Sequence, residues 1–316
     1  MRHIFIINPT AGPEDSQSEI EKILSQLSSG NEKIEVYHTT SSGDATRYVS
    51  SVCRSTEESL RFYACGGDGT LNEVINGAVG FDHAAVGCYP CGSGNDFVKF
   101  FGGVDGFLNV DNQLEGTEMY IDLIRANGRY CVNVCSFGLD AAVADYMGRI
   151  KNKLFFSGKW AYFAGVIKAF IKNMRTKCRV SSEGEILGDG DILLCTLANG
   201  SHVGSAFCCA PRAEMDDGLM EVCLVKPIAR LRFATLVPGY VKGTHLDDPR
   251  YAPYIVYRRC SRVEVSSDDK EFSYILDGEM QNEKSFTAEI VSKAIRFVVP
   301  RGLEGYLKNR EKAEVM

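Results

Sequence analysis

Short apolar runs alternate with segments of helical periodicity along the first third of the chain. The apolar runs predict β-strands over residues 3–7, 33–40, 60–65 and 84–90. Between them, the periodicity predicts helices over residues 18–27 and from Asp44 and Thr70 onwards. Strands that alternate with helices form a doubly wound, mostly parallel sheet, which binds its ligand beyond the carboxyl ends of the strands. The pattern therefore predicts an α/β domain with a ligand site at one edge of the sheet.

Polar or glycine-rich sequence follows each of these predicted strands. The four segments are Asn8-Pro9, Thr39-Thr40, Gly66-Gly67-Asp68 and Gly92-Ser93-Gly94. Because parallel strands end at the same edge of a sheet, we expect the four segments to meet in space.

The pattern changes near Tyr120, where alternation with a period of two replaces the strand and helix rhythm. Two alternating runs joined by Asn127-Gly128 predict a hairpin with a type I′ turn. Further strands are predicted over residues 191–199, 219–225, 262–267, 272–279 and 286–291, and helices over residues 150–173 and 229–240. We expect an α/β domain over residues 1–119 and a β-rich, sandwich-like domain over residues 120–300. The sequence leaves open whether the charged tail, residues 301–316, belongs to the first domain.

Composition narrows the class of protein. The chain has 316 residues, of which 45% are hydrophobic, enough to supply cores for two domains. A net charge of −6 argues against nucleic acid as the main partner. The first apolar run stops at Asn8-Pro9, too short for a signal sequence, so no secretion is expected.

Twelve cysteines are scattered along the chain, which in a large unsecreted protein favours reduced thiols. Cys88 and Cys91 have the spacing of half a zinc site or of a redox pair. No second pair of this spacing completes a zinc site, so a structural role is favoured, and a redox or metal role stays open.

The chain is negatively charged overall, but one segment is strongly basic. Residues 149–179 contain nine Lys or Arg and no Asp or Glu, together with many aromatic and aliphatic side chains. Lysines interrupt the apolar run, which argues against a transmembrane helix. On a helix, Lys168, Lys172 and Arg175 share one face, the pattern of a helix that rests on anionic lipid headgroups. The alternative is an apolar stripe packed on the second domain, with solvated lysines.

Two glycine-rich loops suggest a phosphate site. Gly66-Gly67-Asp68-Gly69-Thr70 lies where a strand is followed by a helix, and a second loop covers residues 89–97. A helix N-terminus offers unpaired N–H groups, and glycines let a phosphate approach them. One such loop is as consistent with a tight turn, but two side by side favour a nucleotide site.

Beyond these two loops, the sequence resembles the diacylglycerol kinase catalytic family, in particular the soluble bacterial lipid kinases. The motifs that carry the resemblance are INPTAG (7–12), TTSSGDA (39–45), GGDGTLNEV (66–74), PCGSGNDF (90–97), APRAEMDDGLMEV (210–222) and LDGE (276–279). The resemblance implies an α/β domain that binds ATP and a β-rich domain that binds a lipid, with the headgroup meeting the γ-phosphate between them. It also implies a nucleotide site made of Asn8, Thr40, Gly66, Gly67, Gly69, Thr70, Glu73, Ser93, Gly94 and Asn95. A solvated helical glutamate is the alternative at Glu73.

The resemblance assigns the acidic residues as well. Asp68 and Asp96 are the expected ligands of Mg²⁺, and Asp217 is the expected carboxylate of a second, structural metal. The main-chain carbonyls of Glu214 and Leu219 would complete that second site, which the residues alone would explain as an ordinary Asp-Gly turn. The implied general base for the lipid hydroxyl is Asp277, with Glu279 beside it to raise its pKa. Related sphingosine kinases give part of this role to the aspartate equivalent to Asp68, so the choice between Asp68 and Asp277 stays open.

The expected activity is transfer of the γ-phosphate of ATP to the hydroxyl of a membrane lipid, with diacylglycerol as the default acceptor. Phosphatidylglycerol, sphingoid and prenol acceptors use the same chemistry, NAD kinases share the GGDGT loop, and a non-catalytic nucleotide- or lipid-binding regulator is a further alternative. We expect a cytoplasmic enzyme associated peripherally with the inner face of an anionic membrane. Related enzymes suggest a homodimer.

Overall fold

A computed structural model describes residues 1–12, 20, 22, 33–150, 175–268 and 271–303, with side chains up to residue 144 in the helix that ends at Ile150. The predicted helices at residues 18–27 and 150–173 lie largely outside the described residues, as do Lys168 and Lys172. The chain forms two compact units. The N-terminal unit comprises Met1–Ile121 and the segment that starts at Lys293, and the C-terminal unit is Asp122–Ser292. The expected domain limits were 1–119 and 120–300.

The N-terminal unit is built on a parallel sheet with the strand order β2-β1-β3-β4. Its strands are β1 (Arg2–Ile7), β2 (Lys33–His38), β3 (Leu60–Gly66) and β4 (Ala84–Pro90). Its α-helices are α1 (Asp44–Ser55), α2 (Asp68–Ala78) and α3 (Val110–Leu114), and two 3-10 helices cover Phe97–Phe101 and Asp105–Phe107. This confirms the doubly wound α/β fold that the strand and helix rhythm predicts.

Packing in this unit follows from the sequence. β3 and β4 are almost entirely buried, as expected for parallel strands covered on both faces. Helices α1 and α2 lie close together at Gly77. A Cβ at this position would lie only 2.8 Å from the side chain of Val49 in α1. Beyond Lys293 the last strand of the chain joins the same sheet, where Arg296 pairs with Ala85 in β4, in parallel.

The C-terminal unit is β-rich, as predicted, and its strand pairs are antiparallel. Its strands are β5 (Thr117–Ala126), β6 (Arg129–Cys131), β7 (Val134–Gly138), β8 (Thr176–Ser182), β9 (Glu185–Ile192), β10 (Leu194–Ala198), β11 (Met220–Val225), β12 (Ile255–Cys260), β13 (Arg262–Ser266), β14 (Phe272–Leu276), β15 (Glu279–Glu283) and β16 (Ser285–Val299). Its helices are α4 (Leu139–Ile150) and α5 (Arg230–Lys242). The chain passes from one unit to the other within β5 and β16.

Six strands of the C-terminal unit form one sheet in the order β12-β11-β10-β7-β14-β15. One face of this sheet contributes Phe137, Leu197, Val222 and Tyr274 to a buried apolar core, which the strands β8, β9 and β13 complete. The opposite face carries Leu194, Cys223 and Val225 and packs against residues of α4 and α5. The predicted hairpin turn at Asn127-Gly128 is confirmed, with both residues at positive φ. No helix within the described residues is long and apolar enough to span a membrane.

All twelve cysteines lie among the described residues and form no disulfide. Ten of them are buried, and Cys91 and Cys208 are partly exposed. Burial raises the pKa of the Cys88 and Cys91 thiols, which keeps both protonated near neutral pH.

Candidate active site

The ends of the parallel strands meet as the sequence predicts. The N–H of Asn8 after β1 donates to the carbonyl of Cys65 in β3 at 3.0 Å, and the N–H of Cys91 after β4 donates to Gly66 at 3.0 Å. The N–H of Thr39 after β2 donates to Ile7 at 2.9 Å. These backbone hydrogen bonds bring the polar segments to one edge of the sheet.

The two glycine-rich loops touch at Gly67 and Gly92. A Cβ at Gly92 would lie 2.4 Å from the Cα of Gly67, and a Cβ at Gly67 would lie 3.3 Å from the Cα of Gly92. The contact therefore requires glycine at position 92 and leaves only a tight fit for a side chain at position 67. The pairing of two loops, inferred from the sequence, is therefore present in the fold.

The first loop continues into α2 through a tight contact between Gly66 and Thr70. A Cβ at Gly66 would lie 2.3 Å from the hydroxyl oxygen of Thr70, so the buried threonine needs glycine there. The Asn8 amide donates to the same Thr70 oxygen at 3.0 Å, and its carbonyl accepts from the N–H of Thr10 at 3.0 Å. Asn8 and Thr70 thus hold the first polar segment against the GGDGT loop.

Gly69 differs from Gly66 and Gly67. It is exposed in the first turn of α2, and a Cβ built there meets no protein atom within 4 Å. Internal packing therefore does not require glycine at this position. The absence of a side chain leaves open space beside the helix N-terminus, where a phosphate would bind.

Asn95 locks the second loop. Its backbone has φ of 48°, a left-handed conformation that asparagine tolerates better than most residues. Its side-chain carbonyl accepts from the N–H of Gly92 at 3.0 Å, and its amide donates to the Gly92 carbonyl at 2.8 Å. The Asn95 side chain thus shapes the loop that contains Ser93 and Gly94, of which Ser93 is exposed.

Glu73 binds protein backbone. One of its carboxylate oxygens accepts from the N–H of Gly43 at 2.8 Å, and the other accepts from Ala45 at 3.3 Å. Since Gly43 has no side chain to cap α1, Glu73 supplies the missing acceptor from a neighbouring helix. It thereby holds the loop of Thr40 beside α2.

Thr40 is hydrogen-bonded within its own loop. Its N–H and its hydroxyl donate to one oxygen of Asp44, at 2.8 and 2.9 Å. These bonds, led by the Thr40 N–H, lower the pKa of the Asp44 carboxyl. The Thr40 hydroxyl is therefore engaged before any ligand arrives.

Asp68 and Asp96 lie in adjoining loops. One oxygen of Asp68 accepts from the N–H of Phe97 at 3.2 Å, and Lys99 donates to Asp96 at 2.5 Å. Among the described residues, no group of three or more His, Cys, Asp or Glu is assembled as a metal site. The Asp68 carboxylate nevertheless fits Mg²⁺, because this ion keeps several waters and shares its remaining ligands with nucleotide phosphates. Asp96 could bind the same ion only by giving up its pairing with Lys99.

Asp277 and Gly278 form the two-residue turn between β14 and β15, and both have positive φ. The Asp277 carboxylate accepts three backbone N–H groups, from Val132 at 2.6 Å and from Asn133 and Val134 at 3.0 Å each. The Cys131 thiol lies 3.1 Å from the same carboxylate. Three N–H donors stabilise the ionised carboxylate and fix its position.

Glu279 pairs with a cation. Its carboxylate lies 3.2 Å from the Arg129 guanidinium, and both side chains are substantially exposed. Glu279 is thus partly neutralised by a positive charge. Any effect that it has on Asp277 is softened by Arg129 and by solvent.

Asp217 is hydrogen-bonded on both carboxylate oxygens, one by the N–H of Leu219 at 2.9 Å and the other by Arg259. The same guanidinium lies 3.0 Å from buried Glu221 and 3.9 Å from Glu214. Arg259 therefore supplies the positive charge that the expected structural metal would supply. The residues at this turn do not fit a metal in this arrangement, since one could bind only by displacing Arg259.

Asp122 is a buried carboxylate that sequence reasoning did not single out. It is 0% exposed, and it accepts from the N–H of Gly218 at 2.6 Å. Its own N–H donates to the Met215 carbonyl at 2.6 Å, so Asp122 anchors both sides of the Asp-Asp-Gly turn. The signal in the sequence is an acid within an otherwise apolar strand run, Ile121 to Ile124.

The C-terminal unit also contains an apolar cavity of about 60 Å³. It lies between the six-stranded sheet and the helices α4 and α5, and its lining includes Leu139, Leu194, Phe207, Phe233 and Val237. Asp140 is the one charged residue of this lining among the residues described. Burial raises the pKa of Asp140 to about 7, and one of its oxygens has no hydrogen-bond partner.

Comparison with known protein families gives two matches, one for each half of the chain. Residues 2–126 match the model of the diacylglycerol kinase catalytic domain. Residues 133–299 match that of the YegS C-terminal NAD kinase beta sandwich-like domain, and together the two span nearly the whole chain. The chain belongs to the diacylglycerol kinase family. As a member of this family it is a lipid kinase, in agreement with the motifs of its sequence.

Two curated relatives of this chain are named diacylglycerol kinase. The chain is 27% identical to a diacylglycerol kinase of Bacillus subtilis (strain 168) over 293 residues, which cover 88% of this chain and 92% of the relative. It is also 27% identical to a diacylglycerol kinase of Staphylococcus carnosus (strain TM300) over 279 residues, covering 87% of each chain.

Solved structures confirm the fold of the family member. A crystal structure of a diacylglycerol kinase from Bacillus anthracis str. Sterne matches with a TM-score of 0.68 at 17% identity, covering 96% of this chain and 98% of that one. A second crystal structure from the same organism gives a TM-score of 0.72 at 20% identity with the same coverage.

Proposed function

We propose that this lipid kinase transfers the γ-phosphate of ATP to the hydroxyl of diacylglycerol, giving phosphatidic acid and ADP. The observation that carries the proposal is the contact of the glycine loops at Gly67 and Gly92, with open space at Gly69 beside the N-terminus of α2. This arrangement suits a nucleotide phosphate chain, because backbone N–H groups and the helix dipole favour negative charge there.

The chemistry needs neutralised phosphates, an acceptor in line and a destination for its proton. Asp68 and Asp96 would hold Mg²⁺, which when bound neutralises phosphate charge. The acceptor oxygen forms a bond to the γ-phosphorus while the bond from that phosphorus to the leaving oxygen of ADP breaks. Asp277 accepts the hydroxyl proton in this proposal, and the N–H groups of Val132, Asn133 and Val134 hold its carboxylate in position.

A lipid acceptor is favoured by the apolar cavity below α5. Its lining is apolar apart from Asp140 and two tyrosines, so it suits part of an aliphatic chain better than the polar nicotinamide dinucleotide that an NAD kinase would bind. The relatives named diacylglycerol kinase make diacylglycerol the first acceptor to test. We propose that the enzyme meets this lipid from the cytoplasmic side, at the inner face of an anionic membrane.

The test is transfer of labelled γ-phosphate from ATP to a panel of lipids in mixed micelles, with NAD in a parallel reaction and a control without magnesium. Labelled phosphatidic acid, lost without magnesium and in Asp68→Asn, is the expected result. Asp189→Asn is the matched control, because it makes the same change at an exposed aspartate that pairs with Arg179. Label on a different lipid would replace diacylglycerol as the acceptor, and label on NAD alone would overturn the proposal.

A further inference from the structure

Leu231 is the most exposed of the large apolar side chains in the described residues. It is 87% exposed in the first turn of α5, whereas Ile186, the next most exposed of these side chains, is 56% exposed. An aliphatic side chain gains little from water, and nothing in the described fold covers Leu231. One exposed leucine is unremarkable by itself, so its surroundings decide what it means.

Those surroundings are basic. Residues 222–246 contain two lysines, two arginines and no Asp or Glu. Lys226, Arg230 and Arg232 are exposed and flank Leu231 along the sequence. Asp248 interacts electrostatically with Arg232 and is bound by Arg250 at 2.5 Å.

Helix stability does not explain this choice of residues. The first turn of α5 holds no acidic residue, and Ala229 before it provides no side-chain cap. Arg230 and Arg232 stand near the positive end of the helix dipole, where a cation destabilises a helix. A sequence selected for the helix alone would have the opposite charge at these positions.

Helix α5 also covers one side of the apolar cavity. Phe233, Leu236 and Val237 line the cavity from α5, and Leu236 is the one residue of this helix that is fully buried. Pro238 inside the helix has no N–H to donate, so one hydrogen bond of the helical ladder is missing there. Leu231 therefore lies five residues before Leu236 on an element that separates solvent from a site lined by apolar groups.

We propose that Lys226, Arg230, Leu231 and Arg232 form a docking surface, the α5 surface, that binds the headgroup region of an anionic bilayer. Leu231 enters the apolar boundary of the bilayer, and the three cations contact lipid phosphates. The inference rests on the proposed lipid kinase function, since it gives the lipid-binding unit its contact with the membrane. An exposed aliphatic residue flanked along the chain by cations has the composition of an interfacial membrane contact, in which apolar side chains enter the bilayer and basic side chains attract anionic lipids.

The test is sedimentation of the full chain with vesicles of phosphatidylcholine containing phosphatidylglycerol, without nucleotide. Leu231→Asn should lower the partition coefficient about fivefold to tenfold at both low and high salt, since it removes apolar insertion. Arg230→Gln with Arg232→Gln should lower it more than tenfold at low salt, and the loss should shrink at high salt because screening weakens charge attraction.

Ile186→Asn is the matched control. It replaces a second exposed aliphatic residue, but one whose acidic neighbours Glu185 and Asp189 are paired with Arg258 and Arg179, so no excess positive charge surrounds it. Its binding should equal that of the wild type. Thermal unfolding of each variant ensures that the compared proteins are folded.

Wild-type binding by Leu231→Asn, or an equal loss in Ile186→Asn, would overturn the inference. So would a change of sedimentation coefficient in Leu231→Asn with unchanged vesicle binding, because the surface would then join two copies of the chain. Failure of the inference is distinguishable from failure of the proposed function. If the inference fails, the variants bind vesicles like the wild type, but the protein still phosphorylates micellar diacylglycerol. If the proposed function fails, the variants still differ from the wild type in vesicle binding, but no phosphate is transferred to diacylglycerol.

Discussion

Two Asp-Gly turns of the C-terminal unit look alike in the sequence and differ in what neutralises their carboxylates. Asp277 is held by three backbone N–H groups, which belong to the main chain and cannot leave. Asp217 is held by the Arg259 side chain, which is 42% exposed. A main-chain site keeps an anion at a fixed position, which suits a reacting group, whereas a side-chain counter-ion can be replaced.

The comparison is sharpest at Asp277, where we expect the largest effect. Asp277→Asn should reduce phosphoryl transfer about 10³-fold, as for loss of a general base. The amide also presents N–H groups to backbone donors, which should cost about 2–3 kcal/mol of stability. Transfer assays at a temperature where circular dichroism shows a folded protein separate the two effects. Turnover near that of the wild type would remove the base role and leave Asp68 as the candidate.

A third way to neutralise a carboxylate is a proton, and Asp140, one of whose oxygens is buried without a hydrogen-bond partner, illustrates it. Burial raises the pKa of Asp140 to about 7, so between pH 4 and pH 7 the folded protein binds a proton that the unfolded chain has released. Stability should therefore fall as pH rises through this range, by about 4 kcal/mol from this group.

Asp140→Asn should reduce the fall in stability with rising pH and make the variant more stable than the wild type at pH 8. Urea unfolding at pH 5 and pH 8 measures the difference, with Asp189→Asn as a control at an exposed acid. Burial also raises the pKa of Glu221 to about 7, so part of the slope should persist in Asp140→Asn. A slope identical to that of the wild type would show that Asp140 is ionised in the folded protein.

Arg259→Met tests whether the counter-ion of Asp217 is replaceable. The variant should lose about 1–2 kcal/mol of stability, because Glu214, Asp217 and Glu221 then face one another without a cation. Millimolar Mg²⁺ or Ca²⁺ should restore part of this loss by binding in place of the guanidinium.

Thermal unfolding in an Asp68→Asn, Asp96→Asn background isolates this turn from the nucleotide site. Arg258→Met is the matched control, since Arg258 pairs with Glu185 and not with the turn. A metal-dependent rise in the melting temperature with Arg259 present, absent in Asp217→Asn, would mean that the metal displaces the arginine unaided.

The third Asp-Gly pair of the site region, Asp68-Gly69, begins a helix and gives the smallest expected effect. Gly69→Ala should leave stability unchanged or slightly raised, because its Cβ meets no protein atom, and should weaken ATP binding about tenfold. Gly66→Ala is the contrasting variant and should destabilise the protein by about 1–3 kcal/mol through its clash with Thr70. Calorimetric titration with ATP would contradict the phosphate role if Gly69→Ala bound like the wild type.

Much of the fold and part of the candidate site follow from the sequence. Strand and helix rhythm, the hairpin turn at Asn127-Gly128 and the contact of the glycine loops depend on local periodicity, positive φ and the lack of a side chain. The partners of the acidic residues do not follow. The sequence indicates an exposed or ligand-binding Glu73, yet its carboxylate caps a helix 30 residues earlier, at Gly43.

The sequence by itself therefore determined the class of each segment and the residues that end the parallel strands, because these depend on neighbours in the chain. Only the tertiary structure decided which charge meets each carboxylate. Asp277 meets the N–H of Val132 across 145 residues, and Asp217 meets Arg259 across 42 residues. Contacts of such separation are set by how strands pair and sheets pack, and no local pattern in the chain encodes them.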